Sequence, residues 1–264
     1  MGLILNGNTP NKILYNGAEV SLYFNGSKIW PETVDPYNPL NLPPNTVRVR
    51  TSDGNPPIKA SYGAEYETAT LVTGTTDVYD VYKSGTSFRN LLYKSTNVIE
   101  VLGANTTGIT NMFYMFSQCS SLTAVALFDT ASCTDMGFMF YSCKISTVPL
   151  FNTSNVTNMS FIFWNCSSLT TVPLFNTSSV TNMKQMFAYC TELTSIPLFN
   201  TSSVTNMDQT FNQCFKVQTG ALALYQQAST QITPPSSHNG TFTYCGYSTP
   251  TGSAELAQIP SDWK

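Results

Sequence analysis

Apolar and polar positions recur along this chain with a fixed period. Leu150, Leu174 and Leu198 each open a copy of the same run, and the copies are 24 residues apart. The first reads LFNTSNVTNMSFIFWNCSSLTTVP and the second LFNTSSVTNMKQMFAYCTELTSIP, with LFNTSSVTNMDQTFNQC opening a third. Earlier copies begin at Leu127 (LFDTASCTDMGFMFYSCKISTVP, one residue shorter) and at Gly103 (GANTTGITNMFYMFSQCSSLTAVA). Identity at this period is the mark of a repeat architecture. One period before Gly103, Phe88, Leu91 and Leu92 take the slots of Met112, Met115 and Phe116, and Val98 and Val101 those of Leu122 and Val125.

Each copy carries two patterns. Leu169-x-x-Val172-x-Leu174, like Leu122/Val125/Leu127, Ile145/Val148/Leu150 and Leu193/Ile196/Leu198, puts two apolar residues on one face of a short strand. Met183-x-x-Met186-Phe187-x-x-Cys190 is an i, i+3, i+4, i+7 stripe, one face of a short helix, with Thr181 and Asn182 at its N-cap. These patterns predict an α/β leucine-rich-repeat solenoid of 24-residue coils, each a short strand plus a short helix, with caps at both ends. They divide the chain into a repeat array over 103–214, an N-terminal cap with a degenerate repeat over 46–102, and a C-terminal cap over 215–264.

The first thirty residues read differently. Asn6-Gly7, Asn16-Gly17 and Asn25-Gly26 separate short apolar runs, the strongest short-range hairpin signal. Residues 1–30 are therefore expected to form a small antiparallel β-meander, an anchor carrying Tyr15, Tyr23, Phe24 and Trp30. So small a unit without cysteine does not normally stand alone. It packs on the cap, docks on a larger assembly, or oligomerises. Residues 31–45 hold five prolines and predict an extended linker.

Composition narrows the chemistry. Only 10% of the 264 residues are charged, against roughly 25% in an average soluble chain, and the net charge is −3. No basic patch exists to neutralise phosphates, which excludes nucleic acid as a partner. No run approaches a membrane span, and the N-terminus has no secretory pattern, so synthesis and folding in a cytoplasm are expected. His238 is the sole histidine, in a turn-rich segment that predicts a solvated loop. No phosphate loop or nucleophile elbow is present, so no catalytic residue, metal ligand or cofactor is expected. Asp129 takes the slot of Asn152, Asn176 and Asn200 and reads as a turn residue.

Cys119, Cys143, Cys166, Cys190 and Cys214 fill one slot of successive copies. At a coil spacing of roughly 5 Å, distance alone allows bridges. Parallel, inward-pointing thiols favour a reduced core ladder instead. Cys133 replaces a core valine of other copies, and the state of Cys245 is open.

The informative slots are those that vary. On a helix, the second and fifth residues after the first Met lie opposite the buried stripe. They hold Tyr114, Phe138 and Phe161, then Tyr141 and Trp164, before turning polar at Gln185, Gln209 and Asn212. This aromatic group either packs sideways or beneath the cap, contacts another protomer or assembly partner, or forms a ligand surface for a glycan.

The motif LFNTSSVTNMKQMFAYCTELTSIP resembles the BspA-like leucine-rich repeat of bacterial cell-surface proteins, over about residues 86–222. The C-terminal Ile259–Lys264, after residues 220–225, is similar to end caps of arrays in gut bacteriophage virion proteins, and residues 1–30 resemble phage attachment segments. The resemblance implies a non-enzymatic surface-display scaffold. It is expected on the virion exterior (tail or head), anchored to other virion proteins through residues 1–30 and adhering to a host-surface protein or glycan. The alternatives are a structural decoration or assembly protein, homo-oligomeric through the aromatic group, and a bacterial cell-surface adhesin. The last departs from its family here by showing neither a signal peptide nor a lipobox cysteine.

Overall fold

The computed structural model describes residues 38, 40–59, 64–231 and 233–264, together with four paired strand segments nearer the N-terminus. Those segments form two antiparallel pairs: β1 (Lys12–Ile13) with β2 (Val20–Ser21), and β3 (Tyr23–Phe24) with β4 (Ser27–Lys28). Tyr15 and Trp30 lie outside the described residues, and for Tyr23 and Phe24 only the strand backbone is described.

A five-stranded sheet follows, in the order β6-β7-β5-β8-β9. It comprises β5 (Thr46–Thr51), β6 (Thr68–Leu71), β7 (Val78–Tyr82), β8 (Val98–Asn105) and β9 (Ala124–Val125). Alternation sets its faces. Val47, Val49, Val81, Val98 and Val101 point into the core, whereas Arg48 pairs with Asp80 at 2.6 Å, and Arg50 with Asp77 and Glu100, on the other side. The antiparallel core of the sheet ends in one parallel pair, β8 with β9, which joins it to the first full repeat.

The expected α/β leucine-rich-repeat solenoid, built of a short strand plus a short helix, is not what these residues form. Among the described residues the α-helices are α1 (Ala221–Thr230) and α2 (Pro250–Ala257), both beyond the array, and within it the strands are the end of β8 and the two-residue β9. The dominant sheet is the open mixed one that precedes the repeats.

The backbone hydrogen bonds explain why no helix forms. A helix sends each N–H to the carbonyl four residues back. Here alternate N–H groups leave for the next copy: Met112 donates to Asp135, Tyr114 to Gly137, Phe116 to Met139 and Gln118 to Tyr141. The intervening groups close three-residue steps, Met115 to Met112, Ser117 to Tyr114 and Cys119 to Phe116. The run is a series of overlapping β-turns. Tyr114 and Gln118 sit at left-handed φ of 59° and 60°, and the same two slots are left-handed in every full copy. No α-helix tolerates that alternation.

The strand fails for a second reason. Phe151, Phe175 and Phe199 donate to the carbonyls of Pro149, Pro173 and Pro197, two residues back. Each is a γ-turn centred on the intervening leucine. It rotates the phenylalanine into the core and the leucine out, so that Leu150, Leu174 and Leu198 are 60%, 59% and 52% exposed.

Neighbouring copies are tied together by repeated side-chain bonds. Thr130, Thr153 and Thr177 are buried, and their hydroxyls donate to Asn152, Asn176 and Asn200 carbonyls at 2.8 Å. Asp129, Asn152, Asn176 and Asn200 each accept from the N–H two residues on, turning the chain into the next copy. Thr177→Val, isosteric but without the donor, is expected to lower stability by about 1–2 kcal/mol. Urea unfolding should show a reduced midpoint with an unchanged slope, and Thr177→Ser should recover most of the loss.

The phenylalanine file Phe116, Phe140, Phe163, Phe187, Phe211, Phe242 runs through the centre, with ring centroids 5.3–5.8 Å apart. Trp263 closes it, 6.3 Å from Phe242, in a short 3-10 turn (Ser261–Trp263). Gly220 begins α1 at φ 102°, where a Cβ would lie 2.2 Å from the Ile196 carbonyl oxygen, so only glycine allows α1 to fold back.

Candidate functional site

The turn architecture decides which side chains reach the surface. In each copy the second and sixth residues after the first Met are left-handed. The second-slot column runs Asn90, Tyr114, Phe138, Phe161, Gln185, Gln209 and Gly240, and the sixth-slot column Lys94, Gln118, Ser142, Asn165, Tyr189, Gln213 and Tyr244. Glycine and asparagine are the residues that adopt this conformation at little cost. Only the two ends of the second column hold them.

Residues 237–245 form one more copy, inside the segment expected to be a cap. Ser237 bridges Asn206, and Met207, Gln209, Phe211 and Gln213 donate to the carbonyls of Ser237, Asn239, Thr241 and Thr243. His238 thereby occupies a methionine slot. It is half-buried and stacked 4.2 Å from Trp263, not a solvated loop residue. The signal was legible in Thr241-Phe242-x-x-Cys245, which repeats Thr210-Phe211-x-x-Cys214, but residues 215–236 break the period before it.

The five aromatics singled out from sequence are all half-buried and do come together. Tyr114 stacks on Phe138 at 4.6 Å, and Phe138 on Phe161 at 4.4 Å with planes 10° apart. Tyr141 stacks on Trp164 at 4.5 Å with planes 6° apart. Tyr93 extends the strip at one end and Tyr189 at the other. Sequence reasoning missed these two because neither falls in the same slot as the ring it meets within a helical projection. The rings of the five lie face to face along the repeat axis in the runs Tyr114–Phe138–Phe161 and Tyr141–Trp164. Tyr93 is tilted 55° to Tyr114 and Tyr189 meets Trp164 edge-on, so the strip offers mainly edges and hydroxyls. The fifth slot is not the outward position a helix would make it: Ser117, Ala188 and Asn212 are buried there.

Two arginine and lysine side chains flank the strip's N-terminal end. The Arg89 guanidinium lies 4.8 Å from the Phe113 ring centre and the Lys94 ammonium 5.0 Å from that of Tyr93. Burial raises the phenol pKa of both Tyr114 and Tyr141, which keeps them neutral hydrogen-bonding groups.

The thiols form a row of a different kind. Cys119, Cys143, Cys166, Cys190 and Cys214 are buried and free, and each Sγ donates at 3.0–3.1 Å to a backbone carbonyl of the preceding copy. Cys245 continues the row, buried and free. Burial pushes the Cys119, Cys133 and Cys166 thiols up to about 12. Such thiols are poor nucleophiles and poor metal ligands, because both roles need thiolate. Among the described residues, no group of three or more His, Cys, Asp or Glu is placed to hold a metal ion, and no helix is long and apolar enough to cross a membrane.

Two overlapping segments, residues 86–171 and 143–231, match the family described as Mycoplasma protein of unknown function, DUF285. Together they cover the turn-built copies from Phe88 through α1, more than half of the chain. The chain belongs to this family. In this DUF285 member the matched region holds the whole aromatic strip and the thiol row from Cys119 to Cys214. No curated protein and no solved structure matches the chain.

Proposed function

We propose that this chain is a non-enzymatic binding protein, a surface-display scaffold of the BspA-like kind whose stacked repeats adhere to a host surface through the aromatic strip. One observation carries the reading: Tyr114, Phe138 and Phe161 are held at left-handed φ of 59°, 58° and 57° while half-exposed. Each costs about 1–2 kcal/mol relative to an ordinary backbone conformation. The two stacks they make, Tyr114 on Phe138 and Phe138 on Phe161, return about 0.5–1.5 kcal/mol each beyond area burial. Asparagine or glycine, as at Asn90 and Gly240, fills the slot without that strain. Stacked rings kept in a strained, partly exposed slot, where later copies carry Gln185 and Gln209, support use in recognition.

The test is adhesion of the purified, labelled chain to candidate host cells. Phe161→Ser and Trp164→Ser are each expected to reduce bound protein about tenfold or more, as hot-spot truncations do, while the chain remains folded by circular dichroism. Cell binding that survives both substitutions overturns the reading.

On the resemblance to phage-associated arrays, we further propose a place on the virion exterior, with residues 1–30 as the attachment to other virion proteins. Mass spectrometry of purified particles tests this, and absence from particles ends it. The exposed row Leu150, Leu174, Leu198 supports the structural alternative, a contact between subunits. In that case light scattering should show an oligomer that Leu174→Ser dissociates.

A further inference from the structure

Beside the aromatic strip lies a groove of about 670 Å³, lined by Ile58, Lys94, Thr96, Gln118, Ser120, Tyr141 and Ser142. Its position follows from the repeat. The fifth-slot file of rings is interrupted at Ser117, between Tyr93 and Tyr141, and the groove spans that copy and the ones on either side of it. Trp164 stacks on Tyr141 and Phe138 leans against it at 5.6 Å, whereas Ser117, one copy earlier in the same slot, supplies no ring.

The lining is chemically selective. Six of the seven residues bear a hydroxyl, amide or ammonium, and none bears a carboxylate. One threonine column of the repeats is tied down: Thr110, Thr134, Thr157, Thr181 and Thr205 all donate to a carbonyl of the preceding copy. In the groove the pattern reverses. Among the described residues, the ammonium of Lys94, the hydroxyls of Thr96, Ser120 and Tyr141 and the amide of Gln118 make no side-chain hydrogen bond within the protein, and Lys94 has no carboxylate partner. Lys94, Gln118 and Ser142 stand in one left-handed column, at φ of 61°, 60° and 55°, which places them one repeat apart, about 5 Å, along a straight line.

We propose that this groove binds a carbohydrate chain bearing carboxylate or sulfate groups. Lys94 pairs with the anion. Gln118, Ser120, Ser142 and Thr96 exchange hydrogen bonds with ring hydroxyls, whose spacing along a glycan is of the same order as that of the column. Ile58 and the part of the Tyr141 ring that lines the groove take the apolar C–H face of a sugar. A neutral glycan lacks the partner for Lys94, and an acidic peptide lacks the hydroxyls for the column. The inference rests on the reading of the array as a binding surface and names its ligand class.

Isothermal titration of the full chain with oligogalacturonate, dextran sulfate, neutral dextran and polyglutamate tests it, with cell adhesion measured on the same preparation. Binding to either acidic glycan is expected, about tenfold or more tighter than to neutral dextran or polyglutamate, and weaker at high salt. Preference between oligogalacturonate and dextran sulfate identifies the anion. Lys94→Gln should lose about tenfold in affinity and most of the salt dependence, and Gln118→Ala, which keeps the charge, should lose affinity but not salt dependence. Failure to bind either acidic glycan, equal binding of polyglutamate, or wild-type affinity in both variants overturns the proposal. Adhesion to cells without glycan binding removes this inference and leaves the wider reading standing, whereas loss of both removes both.

Discussion

Raising the pH above about 8.5 is expected to unfold this protein cooperatively, with a midpoint near pH 10, because its buried thiols stay protonated only while folded. The ordinary thiol pKa of about 8.5 applies to the unfolded chain. In the folded chain, burial pushes Cys119, Cys133 and Cys166 up to about 12 and raises Cys143, Cys190, Cys214 and Cys245 as well. A folded pKa above the unfolded one means the stabilisation is complete below about pH 8.5 and drains away as the pH climbs toward 12. Over that window the unfolded chain releases thiol protons that the folded chain retains. Each such thiol contributes about 1.4 kcal/mol of destabilisation per pH unit. The three thiols near 12 alone remove about 4 kcal/mol per unit, against a domain stability of about 5–15 kcal/mol. Circular dichroism followed against pH, in reductant, reads the transition. Replacing Cys119 and Cys166 together by Ala should lower stability at pH 7 but make its fall with pH shallower by about 3 kcal/mol per unit. A slope indifferent to those cysteines would show that other groups, such as the buried tyrosines, drive the alkaline transition.

How far this architecture can be read from the chain depends on which physical signal each feature leaves. The repeat and its core leave a strong one. Met112, Met115, Phe116, Cys119 and Leu122 are all buried, as are their equivalents through Leu193, because packing in a stack demands the same shape at the same slot. Backbone conformation leaves a weak one. Overlapping β-turns bury residues at i, i+3, i+4 and i+7 much as a helix does, and periodicity cannot separate them. What separates them is the sign of φ at the second and sixth slots. Asn90 and Gly240 betray it at the ends of the array, while Tyr114, Phe138 and Phe161 conceal it.

The Leu-Phe pairs were ambiguous for a related reason. Alternation favours Leu150 and Leu174 as core residues, but the γ-turn after each proline reverses the order. At the candidate site the rings were legible as a group and their stacking was not, since it depends on the distance between copies. The polar groove was invisible in sequence. Lys94 belongs to the degenerate first copy, Ile58 to the loop before β6, and only the fold sets them beside Gln118 and Tyr141.

The second large effect is expected from Phe163→Ala. Phe163 is fully buried at the middle of the phenylalanine file, 5.7 Å from Phe140 and 5.4 Å from Phe187, with Phe175 packed at 6.3 Å. Truncating such a ring costs about 3–5 kcal/mol through lost burial and the cavity left behind. The neighbours cannot close that cavity, because inter-copy hydrogen bonds, Phe140 to Ile162 and Phe163 to Met186 among them, hold the copies at fixed spacing. Position within the file adds a second consequence. Contacts run between adjacent copies, so a weak link in the middle uncouples the two sides, whereas one at the end frays it. Phe163→Ala should therefore convert a single urea transition into two, one for the sheet with the first copies and one for the later copies with α1, α2 and Trp263. Phe242→Ala, which removes the last phenylalanine before Trp263, should lower the midpoint while leaving one transition. Hydrogen exchange read by mass spectrometry separates the cases. Early exchange confined to peptides from one side of residue 163 supports nearest-neighbour coupling, and uniform loss of protection along the chain would show that sheet and repeats fold as one indivisible unit.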